Sequence, residues 1–153
     1  MRNTLIALTL AFLAPAVSAQ VPADVMAPIR QFIDGFNKGD VPSALAACAD
    51  QAFVIDEIPP YEWTGAGACA KWASDYDADA KKKGITAGAV TMGAPRHHEV
   101  AGDRAYVVIP VSYEITQKGT QVKQTGAVMA VTLHKGAAGW KMTAWSWATG
   151  SIR

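Results

Sequence analysis

Apolar positions recur at helical spacing only in the first half of the chain. Val25, Ile29, Phe32, Ile33 and Phe36 fall on one face of a 3.6-residue repeat. That spacing predicts a helix which Asp24 can cap and Gly39 can end, with Pro28 tolerated only in or before the first turn. Asp40 is placed to cap a short second helix, with Pro42 in its first turn and Leu45 and Cys48 turned inward. Ala52–Ile58 predicts a strand stopped by Pro59-Pro60. Ala66 to Lys83 predicts a third helix, because Cys69, Trp72, Ala73, Tyr76 and Ala80 form one stripe and Gly84 is its C-terminal stop.

After Gly84 the helical period disappears. Ile85–Met92, His97–Val100, Ala105–Thr116, Gln121–His134 and Trp140–Thr149 predict strands, separated by Gly93-Ala94-Pro95 and by turns at Gly102, Gly119 and Gly136. Helices grouped first and strands grouped last give an α+β fold in which short turns connect an antiparallel meander. Pro110 inside a long strand predicts a bulge or sharp bend there. A bent sheet around a helix makes a concavity, and concavities hold ligands.

The first residues read as an address. Arg2 is followed by the apolar run Leu5–Val17 and then by the small residues Ser18 and Ala19. This is the layout of a secretory signal cleaved between Ala19 and Gln20, leaving residues 20–153 as a single domain in the periplasm or outside the cell. The run is shorter than the roughly 20 residues a membrane-spanning helix needs. The residue directly after the cleavage site is Gln20 and not a cysteine that could carry a lipid, so no membrane anchor is expected afterwards. An oxidising compartment favours a Cys48–Cys69 disulfide over two buried thiols.

Lys+Arg is 14 and Asp+Glu is 13, giving a net charge of +1. That balance excludes a domain built to grip nucleic acid, which needs a clustered positive excess. The triple lysine Lys81-Lys82-Lys83 fits a helix C-terminus, where cations complement the dipole.

The stretch Pro28–Asp40, with Asn37-Lys38-Gly39-Asp40 linking two helices, resembles the opening of the nuclear transport factor 2-like superfamily. That group includes the SnoaL-like polyketide cyclases and the ketosteroid isomerases. Phe53-Val54-Ile55-Asp56, the helix opening near Gly65 and the terminal Gly139-Trp140-Lys141-Met142 strand are similar to family features. The resemblance implies a cone: a strongly curved antiparallel sheet wrapped around the first helix, with about three helices before the meander and a pocket at the open end. It also implies an acid/base position at Asp56. The oxyanion donors of the steroid isomerases fall on Phe32 and near Met129-Ala130, which have none to offer, so steroid isomerase activity is not expected. In the cyclases a late acid serves, and Glu114 is a candidate on the late strands.

The candidate ligand-binding residues are Asp56, Tyr61, Trp63, Trp72, Tyr113, Trp145 and Trp147. Asp56 and Glu57 point to opposite faces if the strand continues through both, so only one looks inward. Tyr61 and Trp63 follow Pro59-Pro60 and are candidates for a pocket lip. Trp72 belongs to a core stripe. Trp145 and Trp147 share one strand face, which Tyr113 can join, as a pocket lining or as the sheet surface of a homodimer. His97 and Glu99 give two ligands where zinc needs three or four, so no metal is expected. Gly65-Ala66-Gly67-Ala68-Cys69-Ala70 matches a dinucleotide loop without the strand–helix–strand unit it requires, so no cofactor is expected. The reading is an exported pocket for a small apolar or aromatic molecule without chemistry. The alternative is a cyclase, isomerase or hydratase using Asp56. Mass spectrometry of the exported protein checks the address, the expected N-terminal residue being Gln20.

Overall fold

The apolar stripe of the first helix decides the architecture, because it must be covered along its whole length. The computed structural model describes residues 20–152. The expected signal segment 1–19 lies outside the described residues. Helix α1 (Ala23–Lys38) buries Val25, Met26, Ile29, Phe32 and Ile33. It starts after Pro22 rather than at Asp24, which sits in the first turn and accepts the Trp140 indole N–H at 3.1 Å. Pro28 therefore lies inside the helix, buried against the core, where it removes one i→i−4 hydrogen bond. Gly39, at φ 69°, ends α1 in the left-handed conformation. Helix α2 (Val41–Ala46) follows, capped as expected by Asp40, whose carboxylate accepts from the Ser43 N–H at 3.1 Å. Gly35 is where the two helices touch. A Cβ there would lie 2.6 Å from the Ala44 nitrogen.

Strand β1 (Cys48–Ile55) begins earlier and ends sooner than its sequence pattern predicts. A second strand, β2 (Glu62–Ala66), precedes helix α3 (Ala68–Lys83), so the segment around Trp63 is sheet and not loop. Next come β3 (Ile85–Met92), β4 (His97–Ala101), β5 (Arg104–Gln117), β6 (Thr120–Gly136), β7 (Gly139–Ala148) and the short β8 (Ser151–Ile152). Their order is β2-β1-β7-β6-β5-β3, with β4 also on β5 and β8 on β6. The sheet is mixed, not purely antiparallel: β1 runs parallel to β7, while the other pairings are antiparallel. The reason is topological. The chain leaves β1 and returns to its flank only after α3 and the whole meander, so it arrives pointing the same way.

Two devices bend this sheet. Val111 pairs with Ala127 but Tyr113 pairs with Gln124, a register shift at which Gly126 adopts φ 74°. A second shift between Thr132 and Leu133 bends β6 against β7. Pro110 itself stays in register with Val128, so the expected break falls beside it. Its missing N–H is tolerated because β5 changes neighbour there: β3 pairs down to Val111 and β4 takes over from Val108.

The concave face carries Val54, Val107, Ile109, Met129, Val131, Leu133, Met142 and Trp145, all buried against the helices. Asn37 fastens α1 to the edge of this face. Its amide donates to the Val90 carbonyl at 2.8 Å and its oxygen accepts the Val90 N–H at 2.7 Å. Among the described residues, no helix is long and apolar enough to cross a membrane.

Cys48 and Cys69 form a disulfide, with Cα atoms 6.6 Å apart across a separation of 21 residues. It ties the start of β1 to the first turn of α3. Closing a loop of that length stabilises by about 3 kcal/mol in the chain-entropy model. Urea unfolding with and without reductant is expected to differ by about that amount. Denatured, unreduced protein should titrate no thiol.

Candidate functional site

At the open end of the concave face the core does not close. Phe32, Phe36, Asp56, Trp72, Tyr113 and Trp145 surround a recess of about 490 Å³, counting its mouth, and Ile33, Glu57, Ile58, Tyr76, Val90, Met129 and Trp147 complete the wall. Aromatic rings dominate it. Trp72 and Trp145 meet edge to face at 4.7 Å between centroids, and Phe32 lies 5.3 Å from Trp145. Trp145 and Trp147 both face inward. Of the two surfaces open to them, they occupy the recess and not the outer side of the sheet.

Asp56 is the acid of the inner wall. Strand β1 ends at Ile55, so the alternation of faces ends there too, and Asp56 and Glu57 both line the recess. This corrects the expectation that only one of them looks inward. The Asp56 Oδ2 accepts the Trp72 indole N–H at 2.6 Å, and Oδ1 accepts the Glu57 backbone N–H at 2.6 Å. Burial pushes the carboxyl above its ordinary 3.8, while the Trp72 and Glu57 bonds pull the other way. Across the mouth, Glu57 accepts from Gln124 at 3.1 Å and from the Thr149 hydroxyl, and Gln124 accepts the Trp147 indole N–H at 2.8 Å. Gln124 is buried, at 5% exposure. The Tyr76 and Tyr113 hydroxyls bond to each other, and desolvation raises both pKa values. Trp145 Nε1 is buried with no hydrogen-bond partner among the described residues.

Two candidates do not reach the recess. Trp63 is a core residue of β2, 5% exposed, and its indole N–H donates to Asp75 at 2.8 Å. Tyr61 is 58% exposed beside β2. Neither forms a lip, because β2 pairs with β1 and turns Trp63 under α3. Glu114 faces out and pairs with Lys123. Phe32 and Met129 do line the recess, and neither has a donor. Sequence reasoning missed Phe36, Tyr76 and Glu57 as wall residues, and Gln124 as the partner of Glu57 and Trp147. Phe36 and Tyr76 sat on the predicted apolar stripes, where a wall residue looks like any core residue. No cluster of three or more His, Cys, Asp or Glu among the described residues could hold a metal ion.

No family model matches the chain, and no curated protein matches it. Solved structures do. A nuclear transport factor 2-like superfamily protein from Salmonella enterica superposes with a TM-score of 0.69 at 13% identity, over 84% of this chain and 89% of that one. The chain adopts the nuclear transport factor 2-like fold. A ketosteroid isomerase-like protein from Erwinia carotovora gives 0.66 at 18% identity, over 84% and 95%. The hexachlorocyclohexane dehydrochlorinase LinA-type3 from Novosphingobium barchaimii gives 0.68 at 13% identity, over 83% and 87%. At these identities the likeness fixes the architecture of the nuclear transport factor 2-like cone and leaves its chemistry open.

The raised pKa of Asp56 has a consequence for stability. The folded chain takes up this proton at higher pH than the unfolded chain, so the charged carboxylate opposes folding near neutrality. That penalty fades as pH falls through the raised value towards 3.8. The stability of the wild type relative to Asp56→Asn is therefore expected to improve as pH is lowered from about 7 to about 4. Urea unfolding of both proteins across that range checks the sign.

Proposed function

We propose that this is an exported protein that binds a small apolar or aromatic molecule in the recess and leaves it chemically unchanged. The observation that carries the reading is how Asp56 is employed. Both carboxylate oxygens are held by N–H groups of the protein itself, inside a wall of aromatic rings. Each oxygen already commits one of its two lone pairs to an N–H of the wall, so the carboxylate serves first to hold Trp72 and the turn at Glu57. The wall offers large flat surfaces and few polar groups, which suits an aromatic guest.

A second reading has support of its own. The Asp56 carboxyl is raised by burial, as an acid/base group is expected to be, and Trp145 carries an unpartnered buried N–H in the same wall. Together they would supply a base and one donor for a cyclase, isomerase or hydratase. Similar folds include proteins named for a dehydrochlorinase and for an isomerase. Steroid isomerase chemistry is the least supported, because Phe32 and Met129 replace its donors with apolar side chains.

One experiment separates the two readings. A panel of phenol, indole and naphthalene is titrated against tryptophan fluorescence, since Trp72, Trp145 and Trp147 all line the recess. Saturable quenching, with the compound recovered intact, is the expected result. Recovery of an altered compound, in an amount that falls at least tenfold in Asp56→Asn, would favour the enzyme instead. Absence of saturable binding across the panel would reject the proposed pocket.

A further inference from the structure

Beside the recess lies a second concavity. It is a cleft of about 780 Å³, counting its open side, walled by Ala80 of α3 and by Ile85, Ile115, Val122 and Ile152, with Lys83 among its lining residues. The two spaces share Glu57, Ile58, Tyr76 and Tyr113 as lining residues. The shared tyrosines, one on α3 and one on β5, meet through their hydroxyl groups. A bond between two neutral hydroxyls is among the weaker links in a fold. When it parts, each hydroxyl can bond to water from the open cleft.

The position of Tyr113 is set by what β3 lacks. Its ring lies diagonally over Gly88, where a Cβ would come within 2.8 Å of the ring. Val90 is its direct cross-strand partner, and Ile115 is that of Gly88. A glycine seat lets the ring stand at the boundary of the two spaces instead of being pushed into either. On the recess side, Tyr113 meets Phe36 and Trp147 edge-on. On the cleft side the wall carries the aliphatic Ala80, Ile85, Ile115, Val122 and Ile152, with Asp79, Lys83, Gln117 and Gln124 among them. The apolar part of the wall therefore changes at the tyrosine pair, from aromatic rings in the recess to aliphatic side chains in the cleft.

We propose that recess and cleft are the two halves of one ligand site, partitioned by the Tyr76–Tyr113 pair, and that the site takes an aromatic ring bearing an aliphatic chain. The ring occupies the recess and the chain lies along Ala80, Ile115 and Val122 in the cleft. This deepens the binding reading above and rests on it. Lys83 is paired with Asp79 at 2.6 Å, and Glu57 stands at the same boundary, so the cleft presents no free positive charge to an acidic head group. An uncharged chain suits it better.

The test uses phenol and the 4-alkylphenols from methyl to pentyl, with affinity followed by tryptophan fluorescence. Each methylene that enters the cleft is expected to lower Kd roughly fourfold. Two substitutions outside the recess block the cleft: Ala80→Phe fills it, and Ile152→Asp places a charge in it at the exposed chain end. In both variants phenol should bind as in the wild type, while the gain per methylene should largely vanish. If phenol binds but the longer compounds bind no better, the two-part site is wrong and the simple recess stands. A gain per methylene that survives undiminished in both variants overturns the two-part site equally. If phenol and the alkylphenols all fail to bind, the binding reading itself falls, and this inference falls with it.

Discussion

The stripe of apolar side chains on α1 has to be covered on several sides at once, and only a bent sheet can do that. Val25, Ile29, Phe32 and Ile33 are buried and lie along one helix face. A flat sheet would meet a cylinder along a line and leave the flanks wet. The register shifts at Val111–Tyr113 and at Thr132–Leu133 curl β5, β6 and β7 around the helix. Asn37 then fixes the far edge by replacing a missing strand partner for Val90. Once the sheet curls, its two ends cannot be equivalent. The end where Phe32 and Phe36 leave the helix stays open, and the recess is what remains there.

How much of this was legible in the sequence follows from which signals are local. The α1 stripe, the Asp40 cap and the glycine stops are local, and the structure places them where the spacing does. The strands after Gly84 were readable for the same reason. Strand β2 was not, because its alternation is short and sits between a proline pair and a run of small residues. The parallel pairing of β1 with β7 joins segments about ninety positions apart, and no local pattern encodes it. At the site, Trp145 and Trp147 were recoverable from a period of two, and Tyr113 from its strand. Trp63 was misplaced because it was read as a loop residue when it belongs to a strand. Glu57 and Gln124 carried no signal, since their meeting depends on where β1 stops and how β6 bends.

Placing a carboxyl group among aromatic rings is unfavourable unless something answers its charge. Here the answer is two N–H donors, with Lys83 the least of the favourable influences, so burial prevails and the carboxyl rises above its ordinary range. The arrangement also orders the neighbours. Trp72 is held by Asp56, and Trp72 in turn sets the face that Trp145 and Tyr76 pack against. The disulfide acts on the same wall from the other end, by anchoring the first turn of α3 on which Trp72 stands. The rigidity of the aromatic wall thus has a covalent support and a polar one.

Gln124 illustrates how a mouth can narrow what evolution is free to try. Its carbonyl receives the Trp147 indole while its amide hydrogens are directed at Glu57, so the side chain has one electron-rich end and one electron-poor end, both in use. Glutamate would keep the first contact and set like charges face to face in the second. Lysine would satisfy Glu57 and repel the indole N–H. Leucine would fill the space and leave both neighbours without partners. Asparagine has the right two-ended chemistry but is one methylene short. Among these five side chains glutamine alone combines that polarity with that reach, so a change at this position calls for a change at Glu57 or Trp147 in step.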